Sequence, residues 1–275
     1  MNLKEYKEIK IGGIIIATLL FVVGVAYFAG GGQIMSNNDN NITIKDNENL
    51  KEDEDNKEPI EDILDEETAK VFSTVRENKN DLIVLCNKEF MLGEDYTPDD
   101  LVVPNVLLAY DKSFQQSHLR EEGAKALEVM FAEAKDAGLE DLYLVSGYRS
   151  YDYQYGLFNT SIKNRGKEHT EKYMAKPGHS EHQTGLTADI STQSMGLTLE
   201  ENFEDTKEGE WLAANAHKYG YILRYPKDRV ETTGYAYEPW HFRYVGKSVS
   251  EYMYKNKLVL EDLHESVYDG TDAVG

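Results

Sequence analysis

Two histidines, an aspartate and a glutamate occupy two short segments about fifty residues apart, and their types suit metal chemistry. His182 and Asp189 lie in the first segment, and Glu238 and His241 lie in the second. Zinc binds neutral imidazole nitrogen and carboxylate oxygen readily, and a catalytic zinc site keeps one of four positions open for water. We therefore predict that His182, Asp189 and His241 bind Zn²⁺.

The remaining carboxylate, Glu238, is the candidate catalytic base. A carboxylate that does not bind the metal can take a proton from metal-bound water. Glu238 lies three residues before His241, and Pro239 between them disfavours helix at Glu238. We expect an extended or turning segment here.

A single histidine is more often a packed or surface residue than a ligand, so only the combination indicates a site. His179 stays ambiguous, because a fourth protein ligand would close the open position.

Arg149 follows a run that is typical of a short buried strand. The run 141–146 is mostly apolar, and Gly147 predicts a turn that lifts the next side chains off the strand end. A guanidinium in such a cleft can stabilise the oxyanion of a tetrahedral intermediate. The spacing alone fits a surface arginine paired with an acid equally well.

Three ordered motifs resemble those of the VanY-type D-alanyl-D-alanine carboxypeptidases, which are zinc peptidases of bacterial cell-wall metabolism. They are Ser-Gly-Tyr-Arg-Ser at 146–150, Pro-Gly-His-Ser-Glu-His-Gln-Thr-Gly at 177–185 with the following Asp189, and Glu-Pro-Trp-His-Phe-Arg-Tyr-Val-Gly at 238–246. The resemblance covers about residues 80–268. A small departure is Thr187, where a smaller residue such as alanine is expected.

The resemblance implies a role for each candidate residue. His182, Asp189 and His241 would bind zinc, Glu238 would be the base, and Arg149 would stabilise the oxyanion.

The resemblance also suggests contacts to the substrate. Ser180 and Gln154 would hydrogen-bond the terminal carboxylate or the last peptide carbonyl. Independently of the resemblance, the aromatic residues Tyr148 and Trp240 beside the site are expected to line the pocket. A turn-forming serine, a solvated helix residue and core aromatic residues are the structural alternatives.

The pattern of helices and strands predicts an α+β domain with a small antiparallel sheet flanked by helices. This agrees with the zinc D,D-peptidase/hedgehog-like fold that the resemblance implies. We predict helices through 127–134, ending near Gly138, and over 151–163 and 208–219, and strands at 82–86, 142–146, 186–190, 221–225 and 235–243. The single cysteine, Cys86, is expected to be a buried small hydrophobic residue.

The N-terminal part of the chain predicts a membrane anchor. No charged residue occurs from Ile11 to Asn38, and lysines precede the apolar run. The positive-inside rule then places residues 1–10 in the cytoplasm, residues 11–30 across the membrane and the rest outside the cytoplasm. A cleaved signal peptide is the alternative, although the run is longer than a typical signal core.

An acidic tether is predicted at 31–68, between the anchor and a catalytic domain at 69–268, with a tail at 269–275. From Asp39 to Glu67 there are thirteen acidic and three basic residues, a net charge of −10 out of −21 for the 275-residue chain. Such a segment repels itself and buries little surface, so we expect it to be disordered. The overall acidity argues against nucleic-acid binding.

The sequence therefore predicts a membrane-anchored, extracytoplasmic zinc carboxypeptidase, expected to be monomeric, that acts on peptidoglycan stem peptides or their precursors. The resemblance implies release of the last residue from D-Ala-D-Ala ends, which would remove a target of glycopeptide antibiotics and so could contribute to resistance. Two alternatives stay open: an L,D-carboxypeptidase that trims tetrapeptide stems, and a non-catalytic zinc-containing wall-binding module.

Overall fold

The computed structural model describes residues 66–78 and 81–267, and these contain eight helices and six strands. The helices are α1 (Glu66–Asn78), α2 (Glu121–Asp136), α3 (Tyr151–Arg165), α4 (Lys167–Tyr173), α5 (Lys207–Asn215), α6 (Val230–Thr233), α7 (Lys247–Asn256) and α8 (Leu260–Val267). The strands are β1 (Leu101–Val102), β2 (Leu119–Arg120), β3 (Leu142–Ser146), β4 (Thr187–Thr192), β5 (Tyr221–Leu223) and β6 (His241–Tyr244). Short 3₁₀ turns occupy Gln115–Ser117, Glu181–Thr184, Glu201–Asp205 and Ala216–Tyr219.

Four strands form an antiparallel sheet in the order β3–β4–β6–β5, which confirms the predicted α+β architecture. Strands β1 and β2 pair separately as a two-residue ladder. Every residue of β4 and of β6 is buried. An antiparallel strand normally exposes alternate side chains, so this pattern shows that both faces of the central pair are covered.

Helices pack through two hydrophobic clusters. Strand β5 contributes to both clusters, with Tyr221 in the first and Ile222 in the second, as expected from the alternation of side chains along a strand. The first cluster joins α2 to the sheet through Leu127, Met130, Leu144, Ile190, Tyr221 and Phe242. The second cluster joins α1, α7 and α8 through Val71, Val75, Ile222, Val249, Met253 and Leu263.

The helix predictions were accurate because their apolar spacing is regular. Leu127, Met130 and Ala134 are fully buried on α2, and Gly138 follows the helix with a φ of +86°. The predicted helix 208–219 is divided, with α5 followed by the 3₁₀ turn, and Gly220 ends it in the left-handed conformation. Glycine adopts this conformation without steric cost.

Two strand predictions were wrong. Residues 82–86 form a turn followed by an irregular segment, although Cys86 is fully buried as expected. The Arg243 guanidinium donates hydrogen bonds to the carbonyls of Leu82 and Val84 at 3.0 and 2.9 Å. A side chain therefore satisfies backbone groups that a neighbouring strand would otherwise pair. In the predicted strand 235–243, the strand itself starts only at His241.

The N-terminal predictions fall on residues that the structure does not describe. Within residues 66–78 and 81–267, no helix has the length and apolar character required to span a bilayer. The predicted anchor at 11–30, nearly all of the tether at 31–68, and the tail at 269–275 lie outside these ranges. Helix α1 begins at Glu66, slightly before the predicted start of the domain.

We predict that Leu127→Ala lowers the free energy of unfolding by about 2–5 kcal/mol, because it leaves a cavity in the first cluster. Val129→Ala on the same helix is the matched control, since Val129 is 53% exposed. It should change stability by no more than about 0.5 kcal/mol. Urea denaturation of both variants measures the difference, and equal effects would contradict the packing described for α2.

Candidate active site

The pairing of two central strands brings the predicted metal ligands together. Asp189 on β4 lies directly opposite His241 on β6. His182 lies in the 3₁₀ turn that immediately precedes β4. One potential ligand atom from each of the three residues lies within 4.8 Å of the others, and all three residues are buried. The structure thus places together the three residues that the sequence singled out.

The two histidines turn different nitrogens toward Asp189. The Nε2 atom of His182 is 3.2 Å from Asp189 Oδ2, while its Nδ1 atom is 2.6 Å from the carbonyl oxygen of Gly147. The Nδ1 atom of His241 is 3.0 Å from Asp189 Oδ1. A proton on His182 Nδ1 can be donated to Gly147, which leaves Nε2 free to bind a metal.

This set of donors fits zinc. Two imidazole nitrogens and one carboxylate oxygen are the ligands of many catalytic zinc sites, and three protein ligands leave a position for water or substrate. His179 does not belong to this cluster. Its Nδ1 atom lies 2.8 Å from the carbonyl oxygen of Asn87, and the residue lines a small cavity with Lys88 and Lys176.

The electrostatic surroundings favour the metal-binding forms of two candidate ligands, the ionised Asp189 and the neutral His182. Burial acts to raise the pKa of Asp189, but His182 and His241 outweigh it and hold this pKa well below its usual range. Burial lowers the pKa of His182, which favours the neutral imidazole that binds metals. Asp189 and Glu181 outweigh burial at His241 and raise its pKa to about 9. This shift favours the protonated imidazole, and a metal ion that binds His241 would have to displace a proton from it.

Glu238 lies beside the ligands, in the turn that leads into β6. The His241 amide donates a hydrogen bond to the Glu238 carbonyl at 3.1 Å, so of the extended and turning forms expected here the segment adopts the turn. The Glu238 carboxylate is 3.5 Å from His241 Nδ1, and its side chain is 23% exposed. Burial raises the pKa of Glu238 to about 7, although His241 opposes this shift. A carboxyl group with a pKa near neutrality can accept and return a proton.

Arg149 enters the site from the end of β3. Its amide donates a hydrogen bond to the carbonyl of His182 at 3.1 Å, so its backbone is tied to a ligand. Burial lowers the pKa of Arg149, while Asp189 and Glu238 favour its charged form. The Nε atom is buried and has no hydrogen-bond partner among the described residues. An N–H group with this environment is available to a substrate oxygen.

The four predicted substrate contacts have different surroundings. Ser180 is buried at the start of the 3₁₀ turn, and Gln154 is buried with its Nε2 atom donating to the Ala175 carbonyl at 2.7 Å. Tyr148 is buried, and Trp240 packs against the first hydrophobic cluster. Their contacts to a substrate remain predictions.

Sequence reasoning missed a group of buried charges next to the ligands. Glu181, Arg224 and Arg243 are each no more than 1% exposed. Glu181 accepts hydrogen bonds from Arg224 at 2.7 Å and from Arg243 at 3.3 Å. The sequence did carry a signal for the two arginines, because Arg224 directly follows β5 and Arg243 lies inside β6. A charged residue is almost never fully buried unless it is paired, so an arginine at such a position indicates a buried acidic partner.

We predict that Gly147→Ala destabilises the protein and weakens metal binding. A Cβ atom at Gly147 would lie 2.2 Å from the carbonyl oxygen of His118, so the backbone that holds His182 must shift. Overpacking of this kind typically costs about 1–3 kcal/mol. Gly156→Ala is the matched control, because no atom lies within 4 Å of its added Cβ. Denaturation and zinc titration measure both effects, and a Gly147→Ala variant that matches the wild type would contradict this packing.

Comparisons with known proteins agree with this geometry. The model of the VanY family, described as D-alanyl-D-alanine carboxypeptidase, matches residues 116–247. The chain is 44% identical over 191 residues to the putative carboxypeptidase YodJ of Bacillus subtilis (strain 168), covering 70% of each protein.

Two solved structures are also similar. The LdcB LD-carboxypeptidase is 45% identical, with a TM-score of 0.64, over 67% of this chain and 86% of that one. A mutant of the vancomycin-resistance D,D-pentapeptidase VanY in complex with Zn(II) is 27% identical, with a TM-score of 0.55, over 66% of this chain and 98% of that one. The similarity to these proteins, together with the His-Asp-His cluster, shows that the chain belongs to the VanY family of carboxypeptidases.

Proposed function

We propose that this protein is a zinc-dependent carboxypeptidase that releases the terminal D-alanine from peptidoglycan stem peptides. The observation that carries the proposal is the convergence of three potential ligand atoms within 4.8 Å, beside the Glu238 carboxylate, which lies outside this cluster. The Zn(II) complex of the related VanY structure supports zinc as the metal.

The residues of the site would have different roles in peptide hydrolysis. His182, Asp189 and His241 would hold the zinc, which would supply Lewis acidity to the scissile carbonyl and to the attacking water. Glu238 takes the proton from the attacking water and passes it to the leaving amine. Arg149 donates hydrogen bonds to the oxygen on which negative charge develops. His182, Asp189 and His241 hold the metal and leave a position free for water and substrate.

The length of the stem peptide separates two candidate activities. The family model, and the VanY structure at 27% identity, support D,D cleavage of a pentapeptide ending in D-Ala-D-Ala. The LdcB structure, at 45% identity and a higher TM-score, supports L,D cleavage of a tetrapeptide. Since LdcB is the more similar of these two structures over almost the same share of the chain, we place L,D trimming first and D,D cleavage second.

The proposed cellular setting follows from the N-terminal composition. An anchor at 11–30 and an acidic tether would hold the monomeric catalytic domain outside the cytoplasm, where peptidoglycan is found. D,D activity there would remove the D-Ala-D-Ala ends to which glycopeptide antibiotics bind, and L,D activity would shorten stems that already lack them.

Mass spectrometry of reaction products tests the function directly. The purified full-length chain is loaded with zinc and incubated separately with a pentapeptide and a tetrapeptide stem. We expect loss of one alanine from the tetrapeptide at the higher kcat/KM, abolished by a chelator and restored by zinc. Faster loss from the pentapeptide would establish the D,D candidate instead. A zinc-loaded protein that cleaves neither stem would contradict the enzyme proposal and favour a wall-binding module.

We predict that Glu238→Gln retains zinc but loses at least about 10²-fold in kcat, because glutamine cannot accept the proton. Glu231→Gln provides the control, since Glu231 is an exposed glutamate in the preceding helix α6. Zinc content and stem-peptide turnover are measured for both variants. Wild-type turnover by Glu238→Gln would show that another group is the base.

A further inference from the structure

A buried ionic network connects the C-terminal helix α8 to the metal ligands. The Arg224 guanidinium donates from Nε to Glu181 at 2.7 Å and from Nη1 and Nη2 to the two oxygens of Glu261 at 2.7 and 2.6 Å. Arg243 donates to the same Glu181 oxygen at 3.3 Å. Glu261 lies on α8 and also accepts a hydrogen bond from Asn87 at 3.1 Å.

The arginines use only one oxygen of Glu181. Oε1 accepts both of these hydrogen bonds, whereas Oε2 lies 3.6 Å from His241 Nε2. Within the described part of the chain, both Oε2 and Nε2 are buried and have no hydrogen-bond partner. A shift of a few tenths of an ångström would bring the two atoms to the usual N–H···O distance. The two unsatisfied groups therefore face each other.

The orientation of His241 decides which of its nitrogens can bind a metal. Nδ1 lies 3.0 Å from Oδ1 of Asp189, which is another member of the His-Asp-His cluster, whereas Nε2 lies 3.6 Å from Glu181 outside that cluster. In a neutral imidazole one nitrogen carries the proton and the other has the free lone pair. Nδ1 can act as a ligand only if Nε2 carries the proton, and a buried N–H at Nε2 requires an acceptor.

We propose that Glu181 is a positioning residue that accepts the Nε2 proton of His241 and so directs Nδ1 toward the metal. Arg224 and Arg243 both donate to Oε1 of Glu181, and these hydrogen bonds fix its carboxylate with Oε2 toward His241. The inference rests on the proposed metal centre, but it concerns a residue that does not bind the metal. The same arrangement occurs at His182. Its Nε2 atom faces Asp189, and its Nδ1 atom lies 2.6 Å from the carbonyl oxygen of Gly147.

A pair of isosteric variants separates this role from a structural one. Glu181→Gln and Glu261→Gln each remove one carboxylate charge from the surroundings of Arg224, but only Glu181 faces His241. We expect Glu181→Gln to weaken zinc binding by the full-length chain about 10- to 100-fold, the usual effect of losing such a partner. It should also alter the visible absorption spectrum of bound Co²⁺. Glu261→Gln leaves Glu181 facing His241, so its effect on both measurements should be much smaller. Equal effects of the two variants would overturn the inference.

The wild-type protein offers a second measurement that does not depend on how the variants fold. Long-range ¹H–¹⁵N NMR of the zinc-loaded, ¹⁵N-histidine-labelled chain reports which nitrogen of His241 is protonated. We expect the proton on Nε2 and the metal on Nδ1, and the opposite tautomer would overturn the inference. Neither measurement uses turnover. A chain with the expected tautomer that cleaves no stem peptide would contradict the proposed function and leave the role of Glu181 intact.

Discussion

The antiparallel pairing of β4 with β6 is the constraint on which the site depends. It sets Asp189 opposite His241, and the backbone partner of Asp189 on the other side is Ser146 at the end of β3. The other functional groups lie within a few residues of these strands. Arg149 follows β3, His182 precedes β4, and Glu238 precedes β6. Because β4 and β6 are buried on both faces, their register also fixes the geometry of the candidate metal ligands.

The surroundings give three neighbouring carboxylates three different properties. Two histidines hold the pKa of Asp189 low, and two arginines do the same for Glu181, although both groups are buried. Burial dominates at Glu238 and raises its pKa to about 7. The proposed metal ligand, the proposed positioning residue and the proposed base are thus similar side chains whose pKa values differ. The balance of desolvation against nearby cations separates them.

Much of the fold could be predicted because local patterns dominate in several elements. The helix α2, with its regular apolar spacing, and the strand 142–146 were predicted correctly. The segment 82–86 resembles a strand by composition, yet it is held by hydrogen bonds from Arg243, which lies about 160 residues away in the chain. The apolar pattern of a short segment cannot indicate such a contact. Here the side chain of a buried arginine pairs with the backbone carbonyls that a neighbouring strand would otherwise bind.

The sequence by itself singled out the candidate ligands and the candidate base, because the chemistry of zinc restricts the residue types, and the resemblance carried by its ordered motifs added Arg149 as the candidate oxyanion donor. Only the tertiary structure decided which nitrogen of His241 faces Asp189 and why Glu238 has a raised pKa. It also revealed Glu181, whose partners Arg224 and Arg243 lie 43 and 62 residues away in sequence. These properties depend on burial and on the direction of side chains, and both arise only when distant segments pack together.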